Sequence, residues 1–135
     1  MSEKEKICHA NNTVVLLVED DELLRGRLSD ALFDASLHVL KAWGAEEAMK
    51  LLEERDDIDA VITDIEMPGL IDGLELAAIV RRNWPNVAVV IGSSCRVLED
   101  AELPKGAVFH SKPYKLPTLV ASLRDLVSAP GPSAT

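Results

Sequence analysis

Short apolar runs alternate with helix-forming stretches along most of the chain, and this alternation constrains the fold more than any other feature of the sequence. A run such as Val14-Val15-Leu16-Leu17-Val18, with no polar side chain, is typical of a strand that is buried on both faces. Between such runs, apolar residues recur three and four positions apart, as they do on one face of a helix. The predicted strands are 14–18, 38–42, 59–63, 87–91 and 107–109, and the predicted helices begin near residues 22, 45, 73, 96 and 117.

Strands and helices that alternate in this way predict an α/β domain, with a doubly wound, parallel five-stranded sheet and helices on both faces. We expect the domain to cover residues 13–128, with flexible tails at 1–12 and 129–135. The fourth helix, over 96–103, is expected to be short or irregular because Pro104 leaves room for few turns.

The charge balance argues against direct contact with nucleic acid. The 14 basic and 23 acidic residues give a net charge of −9, which repels a phosphate backbone. No apolar run approaches the ~18 residues of a membrane span, and the first residues lack the apolar core of a signal peptide, so we expect a cytoplasmic protein without membrane contact. Cys8 and Cys95 are far apart in the sequence and predict neither a disulfide framework nor a zinc site.

Polar side chains follow four of the predicted strands. Asp20 follows the first strand, Asp64 the third, Ser93 the fourth and Lys112 the fifth. The carboxyl ends of parallel strands share one edge of the sheet, and ligands of open α/β sheets bind at that edge. We therefore expect these four side chains to lie close together.

The chemistry of these side chains indicates a phosphoryl group as the ligand. Carboxylates that meet at one edge repel each other unless a hard cation lies among them, and a small site with oxygen ligands suits Mg²⁺. Beside such an ion, Asp64 can attack phosphorus, as carboxylates do when they form aspartyl-phosphates. Lys112 would add a positive charge, and Ser93 would add a hydroxyl donor.

Five motifs, in this order along the chain, resemble the receiver domain of bacterial two-component response regulators. They are Leu17-Val18-Glu19-Asp20-Asp21, Thr63-Asp64-Ile65-Glu66-Met67-Pro68, Asp72-Gly73, Gly92-Ser93-Ser94 and Phe109-x-x-Lys112-Pro113. The resemblance covers about residues 13–128. The loop from Pro68 to Gly73, with the residues that follow it, is similar to that of a subgroup of short stand-alone receivers. Since the tail after residue 128 leaves no room for an output domain in this sequence, we expect the stand-alone, single-domain type.

The resemblance implies a role for each acid and for the lysine. Asp64 would be the phosphoacceptor, and Lys112 would bind the phosphoryl group. Glu19 and Asp20 would hold Mg²⁺ together with Asp64 and the backbone carbonyl of Glu66. The resemblance also implies a flavodoxin-like sheet with the strand order 2-1-3-4-5.

Partners and a mode of signalling follow from the same resemblance. Ser93 would be the switch hydroxyl and Phe109 the switch aromatic. The phosphoryl group would come from a sensor histidine kinase or a histidine phosphotransfer protein, and a conformational change would signal to a downstream protein that the sequence does not identify. A homodimer is left open, and the domain would not be an enzyme.

Two intervals depart from the family pattern. The loop from Pro68 to Gly73 is one residue longer than the common pattern, and the interval from Ser93 to Lys112 is short. The second departure also puts the fourth helix in doubt. Neither departure affects the proposed acids.

Two alternative functions compete with the switch, namely a degenerate receiver and an enzyme or cofactor binder on the same fold. A degenerate receiver, which acts as a phosphate-independent protein-interaction module, would be favoured by loss of an acid or of the lysine, and none is missing. A flavin site would need a phosphate-cradling loop after the first strand, where this chain has three acids. A haloacid-dehalogenase-type phosphatase would carry its nucleophile after the first strand, whereas Asp64 follows the third. The sequence therefore favours a phosphorylation-dependent switch.

Several of these residues also have a purely structural interpretation. The acids at 19–21 would stabilise the N-terminus of the first helix through its dipole. Phe109, taken by itself, would be a residue of the apolar core. Ser94 competes with Ser93 for the switch role, although register with the strand favours Ser93. No metal role is expected for the histidines, because His9 lies in the tail, His38 lies on an edge strand, and His110 has no second ligand at suitable spacing.

Overall fold

Five parallel strands form one sheet in the described part of the chain, which comprises residues 13–67, 69–94 and 102–128 of a computed structural model. The strands are β1 (Val14–Val18), β2 (His38–Ala42), β3 (Ala60–Asp64), β4 (Ala88–Ser93) and β5 (Val108–Ser111). They lie in the order β2-β1-β3-β4-β5. The predicted α/β fold and the strand order implied by the resemblance are both confirmed.

Four helices cover the two faces of this sheet within the described residues. They are α1 (Glu22–Asp34), α2 (Ala45–Glu54), α3 (Gly73–Asn83) and α4 (Leu116–Ser128). One apolar cluster packs α1 and α4 on the sheet through Leu28, Leu32, Leu119 and Leu123. A second cluster packs α2 and α3 on the opposite face through Ala48, Leu52, Leu76 and Val80. Residues of β1 alternate between the two clusters, as expected for a strand that is buried on both faces.

The residues at the first turns of α3 and α2 explain where these two helices begin. Asp72 and Glu75 form a capping box at the start of α3, because the Asp72 carboxylate accepts from the Glu75 backbone N–H at 2.8 Å and the Glu75 carboxylate accepts from the Asp72 N–H at 3.3 Å. Gly44 precedes α2 and offers no side-chain cap, but Glu46 and Glu47 place negative charge in the first turn.

β3 and β4 end one and two residues later than the apolar pattern predicts. Asp64 pairs with Gly92 in the β3–β4 ladder, and Ser93 pairs with Ser111 in the β4–β5 ladder. Ladder hydrogen bonds join backbone groups, so pairing continues after the apolar side chains end. Asp64 and Ser93 are therefore held by the sheet itself and not by loops.

Three predictions concern residues outside the described part of the chain. The predicted tails at 1–12 and 129–135 lie entirely outside the described residues. Residues 96–101 of the predicted fourth helix also lie outside them. Among the described residues, none of the helices combines the length and the apolar character that crossing a lipid bilayer requires.

Gly73 and Gly26 offer a matched test of how tightly α3 packs against the end of β3. A Cβ atom at Gly73 would lie 1.8 Å from the Asp64 backbone oxygen, whereas a Cβ at Gly26, inside α1, would meet no atom of the described residues within 4 Å. We expect Gly73→Ala to lower the free energy of unfolding by about 2 kcal/mol or more. Gly26→Ala should raise it by about 0.5–1 kcal/mol, because alanine favours a helix. Urea denaturation measures both changes, and a Gly73→Ala protein as stable as the wild type would contradict the close packing.

Candidate functional site

Asp64 ends β3 at the carboxyl edge of the sheet and is buried, with 7% of its surface exposed. Its Oδ2 atom lies 3.2 Å from Nζ of Lys112. Its Oδ1 atom is buried and has no hydrogen-bond partner among the described residues. Such an atom is costly in a folded protein unless a ligand satisfies it. Oδ1 is therefore a candidate contact for a cation or a phosphoryl group.

Lys112 joins Asp64 to a second buried carboxylate. Its Nζ atom lies 2.6 Å from Oε1 of Glu19, and the side chains of Lys112 and Glu19 are only 9% and 3% exposed. Burial by itself would lower the pKa of Lys112, but the hydrogen bond to Glu19 and the charges of Glu19 and Asp64 outweigh it and raise the pKa above its usual value. Lys112 therefore carries its charge at neutral pH.

The Asp64 carboxyl has a raised affinity for its proton. Burial raises its pKa to about 6, because the ionised form loses hydration. Lys112 opposes the shift through its charge and its hydrogen bond, whereas the charges of Glu19 and Glu66 add to it. Ionisation of Asp64 therefore costs more free energy in the folded protein than in water, and a bound cation would relieve this cost.

Asp20 is exposed and completes a group of three carboxylates. One oxygen each from Glu19, Asp20 and Asp64 lies within 4.8 Å of the other two. Three hard oxygen ligands fit Mg²⁺ in charge and ligand type, and one of the three residues carries the buried oxygen that lacks a partner among the residues described. The structure therefore brings together the three acids that the sequence predicts as metal ligands. The backbone carbonyl of Glu66 stays a prediction.

Asp21 has a different role from the two acids before it. Its side chain caps α1 by accepting from the Leu24 backbone N–H at 3.1 Å, and its own N–H donates to Oε2 of Glu19 at 3.1 Å. Arg25 donates to the backbone oxygen of Glu19 at 2.9 Å. The helix-dipole interpretation therefore describes Asp21, while Glu19 and Asp20 face the candidate metal site.

Ser93 lies against the side chain of Glu66. Its hydroxyl is 2.9 Å from Oε1 and 2.8 Å from Oε2 of Glu66, and Ser93 is only 1% exposed. Ser94 is exposed and lines a cleft of about 650 Å³ together with Asp64 and Lys112. Only the backbone of Glu66 was predicted to take part in the site, since nothing in the sequence signals a side-chain contact across 27 positions.

Phe109 lies on β5 and is half-buried. It pairs in register with Ile91 and packs against the apolar cluster of α2 and α3. Core packing therefore describes Phe109 in this state, and its switch role stays a prediction. His110, the next residue, lies 2.9 Å from the Ser122 hydroxyl, and burial lowers its pKa.

Tyr114 is a site residue that the sequence analysis missed. Its hydroxyl packs so closely on Gly92 that a Cβ atom there would lie 1.9 Å from it. The Lys112 ammonium lies 5.8 Å from the centre of the Tyr114 ring, within the range of a cation–π contact. Burial, and then the charges of Asp64, Glu19 and Glu66, raise the pKa of Tyr114. The available signals were an aromatic residue two positions after Lys112 and a glycine before Ser93, but only the folded sheet brings them together.

Comparison with known proteins identifies the family. The model of the response regulator receiver domain matches residues 15–124. The chain belongs to this family. Receiver domains are signalling modules of two-component systems, so the resemblance inferred from the motifs is confirmed.

Relatives that are much longer than this chain and relatives of about its own length both match it. The response regulator protein FleR of Pseudomonas aeruginosa is 33% identical over 117 residues, which are 84% of this chain and 24% of FleR. The chain thus spans about a quarter of the length of FleR. The response regulator receiver protein CpdR of Brucella abortus is 32% identical over 118 residues, which are 85% of this chain and 97% of CpdR.

Solved receiver structures superpose on the chain. A response regulator receiver protein from Sinorhizobium medicae has a TM-score of 0.79 and 28% identity, and the match covers 87% of this chain and 96% of that one. The response regulator TrrA of Thermotoga maritima, crystallised in complex with Mg²⁺-BeF, has a TM-score of 0.68 and 28% identity, with 82% and 98% covered.

Replacing Asp64 by Asn should stabilise the metal-free protein at neutral pH. The pKa of Asp64 is raised to about 6 from an ordinary 3.8, so its ionisation costs the folded state free energy above that range and nothing once both states are protonated. In EDTA, urea denaturation should show a gain in the free energy of unfolding on the order of 1 kcal/mol at pH 7.5, which shrinks as the pH falls through about 6 towards 4.

Asp56→Asn, at an exposed position before β3, is the control and should give no comparable gain. A loss of stability in Asp64→Asn at pH 7.5 would show that the ion pair with Lys112 outweighs the cost of burial.

Proposed function

We propose that this receiver domain is a phosphorylation-dependent switch, in which Asp64 accepts a phosphoryl group from a sensor histidine kinase or a histidine phosphotransfer protein. The observation that supports this most directly is the buried Oδ1 of Asp64, which has no hydrogen-bond partner in the described part of the chain and lies on the carboxylate that pairs with the ammonium of Lys112. Membership of the receiver family supports the same reading. The domain then signals to a protein partner by a change of conformation.

In the proposed transfer, a carboxylate oxygen of Asp64 forms a bond to phosphorus. The bond from phosphorus to the histidine nitrogen breaks, and that nitrogen keeps the electron pair. Lys112 stabilises the negative oxygens because its ammonium is already fixed by Glu19 at 2.6 Å and by Asp64 at 3.2 Å. It needs little reorganisation at the moment of transfer.

Glu19, Asp20 and Asp64 would hold Mg²⁺, together with the backbone carbonyl of Glu66. When bound, the ion offsets the charge of the phosphoryl oxygens and of the three acids. The complex of TrrA with Mg²⁺-BeF supports a metal and a phosphoryl-like group in a related receiver. In the described chain the acids and the lysine are all in place, which is not expected of a degenerate receiver.

Ser93 and Phe109 are the proposed switch residues. Ser93 ends β4 beside the β3 strand that carries Asp64, and Phe109 is half-buried on β5 at the far edge of the sheet. A new phosphoryl group brings about −1.5 to −2 charges and strong acceptor oxygens, which would draw the Ser93 hydroxyl. Phe109 is then free to repack, and β5 with α4 would form the surface that changes.

Exposed apolar side chains at the same edge support a protein as the partner. Leu23 in the first turn of α1, Trp43 after β2 and Leu70 after β3 are 66%, 64% and 95% exposed. Large apolar side chains that face water close to a functional site are typical of surfaces that bind other proteins. Leu70 lies in the loop that is longer than the family pattern.

Incubation with Mg²⁺ and acetyl phosphate, followed by intact mass measurement, tests the proposal. We expect the addition of one phosphoryl group to the wild type, none in EDTA and none in Asp64→Asn, because a side-chain amide is a poor nucleophile. Asp56→Asn is again the matched control and should be labelled like the wild type. Full labelling of Asp64→Asn would exclude Asp64 as the acceptor, and an unlabelled wild type would favour the phosphate-independent interaction module.

A further inference from the structure

The Ser93 hydroxyl is already engaged by a charged acceptor. It lies within 2.9 Å of one carboxylate oxygen of Glu66 and within 2.8 Å of the other. A bond from a hydroxyl to a carboxylate is charge-assisted and is stronger than a bond between neutral groups. Ser93 is also 1% exposed, so water competes little for this hydroxyl.

A serine hydroxyl has one proton to donate. While this proton is shared between the two oxygens of Glu66, it is not available to an oxygen on Asp64. The two acceptors are neighbours in the fold, since Glu66 is two residues after Asp64 and Ser93 follows Gly92, the β4 partner of Asp64. Glu66 and a phosphoryl group on Asp64 would therefore compete for the same proton.

We propose that Glu66 is a positioning residue that holds the Ser93 hydroxyl in the unphosphorylated protein, so that the switch completes only when the Ser93–Glu66 hydrogen bond breaks. This inference rests on the proposed function of Asp64 and adds a residue that acts through Ser93. Glu66 opposes the phosphorylated state in two ways, because it holds the hydroxyl and because its charge repels the phosphoryl oxygens.

Beryllofluoride with Mg²⁺ is a suitable probe, because it stands for the phosphoryl group without a chemical step. We expect Glu66→Gln to bind it about fivefold more tightly than the wild type, since an amide oxygen is a weaker acceptor than a carboxylate. Isothermal titration calorimetry measures the affinity of each variant for this probe. Glu66 is exposed, so this variant should fold normally.

Three further variants separate the hydrogen bond from the charge. Glu66→Asp keeps the charge but is one methylene too short for the same contact, and it should also bind the probe more tightly than the wild type. Glu46→Gln removes an exposed acid from the first turn of α2 and should change the affinity little. In the Ser93→Ala background, Glu66→Gln should lose most of its gain, because no hydroxyl remains to be released.

An unchanged or weaker affinity of Glu66→Gln would overturn the inference, and so would a gain that persists in full in the Ser93→Ala background. Either result leaves the proposed function standing as long as the wild type binds the probe and is phosphorylated on Asp64. A wild type that binds no beryllofluoride and accepts no phosphoryl group would instead remove the proposed function, and the inference with it.

Discussion

The ammonium of Lys112 lies between two buried carboxylates, at 2.6 Å from Glu19 and 3.2 Å from Asp64, and the rest of the site depends on this contact. Its three members come from different parts of the sheet, because Glu19 follows β1, Asp64 ends β3 and Lys112 follows β5. Removal of Lys112 would leave two buried carboxylates without the cation that pairs with them, which is costly inside a protein, whereas removal of the Asp64 charge leaves Lys112 paired with Glu19. The parallel strand order brings together residues that are 93 positions apart, and Gly92 at the end of β4 leaves room for the Tyr114 ring beside them.

This contact does not balance the site. Among the described residues, the three carboxylates of Glu19, Asp20 and Asp64 meet the one ammonium of Lys112, so this group of four carries two net negative charges when all four are ionised. A divalent cation would balance these two negative charges. The phosphoryl group of the proposed cycle would then bring about −1.5 to −2 charges of its own. In the proposed cycle, the metal and the phosphoryl group would therefore favour each other's binding. Glu66 adds a further negative charge on the side of Ser93, which gives a physical reason for an unphosphorylated resting state.

The parts of the molecule that follow from local patterns were predictable from the sequence. β1 was predicted residue for residue because its apolar run and its hydrogen-bonded ladder coincide, and the start of α3 because Asp72 and Glu75 cap it locally. The ends of β3 and β4 were not predicted correctly, because backbone pairing continues past the last apolar side chains. Asp20, Asp64 and Lys112 were found because they follow strands of one parallel sheet, whereas Glu19 was implied only by the resemblance to receiver domains. The Ser93–Glu66 bond and the packing of Tyr114 on Gly92 were missed because they depend on side-chain directions across neighbouring elements.

Calorimetric titration of Mg²⁺ into the wild type and Lys112→Met tests the central claim most directly. Methionine keeps much of the aliphatic length but removes the charge that now pairs with Glu19 and Asp64. If Lys112 is the cation that balances these carboxylates in the absence of metal, its loss should tighten Mg²⁺ binding, by about tenfold for a change on the order of 1.4 kcal/mol. Equal or weaker binding of Mg²⁺ by Lys112→Met would show that the lysine does not compete with the ion, and it would contradict the account.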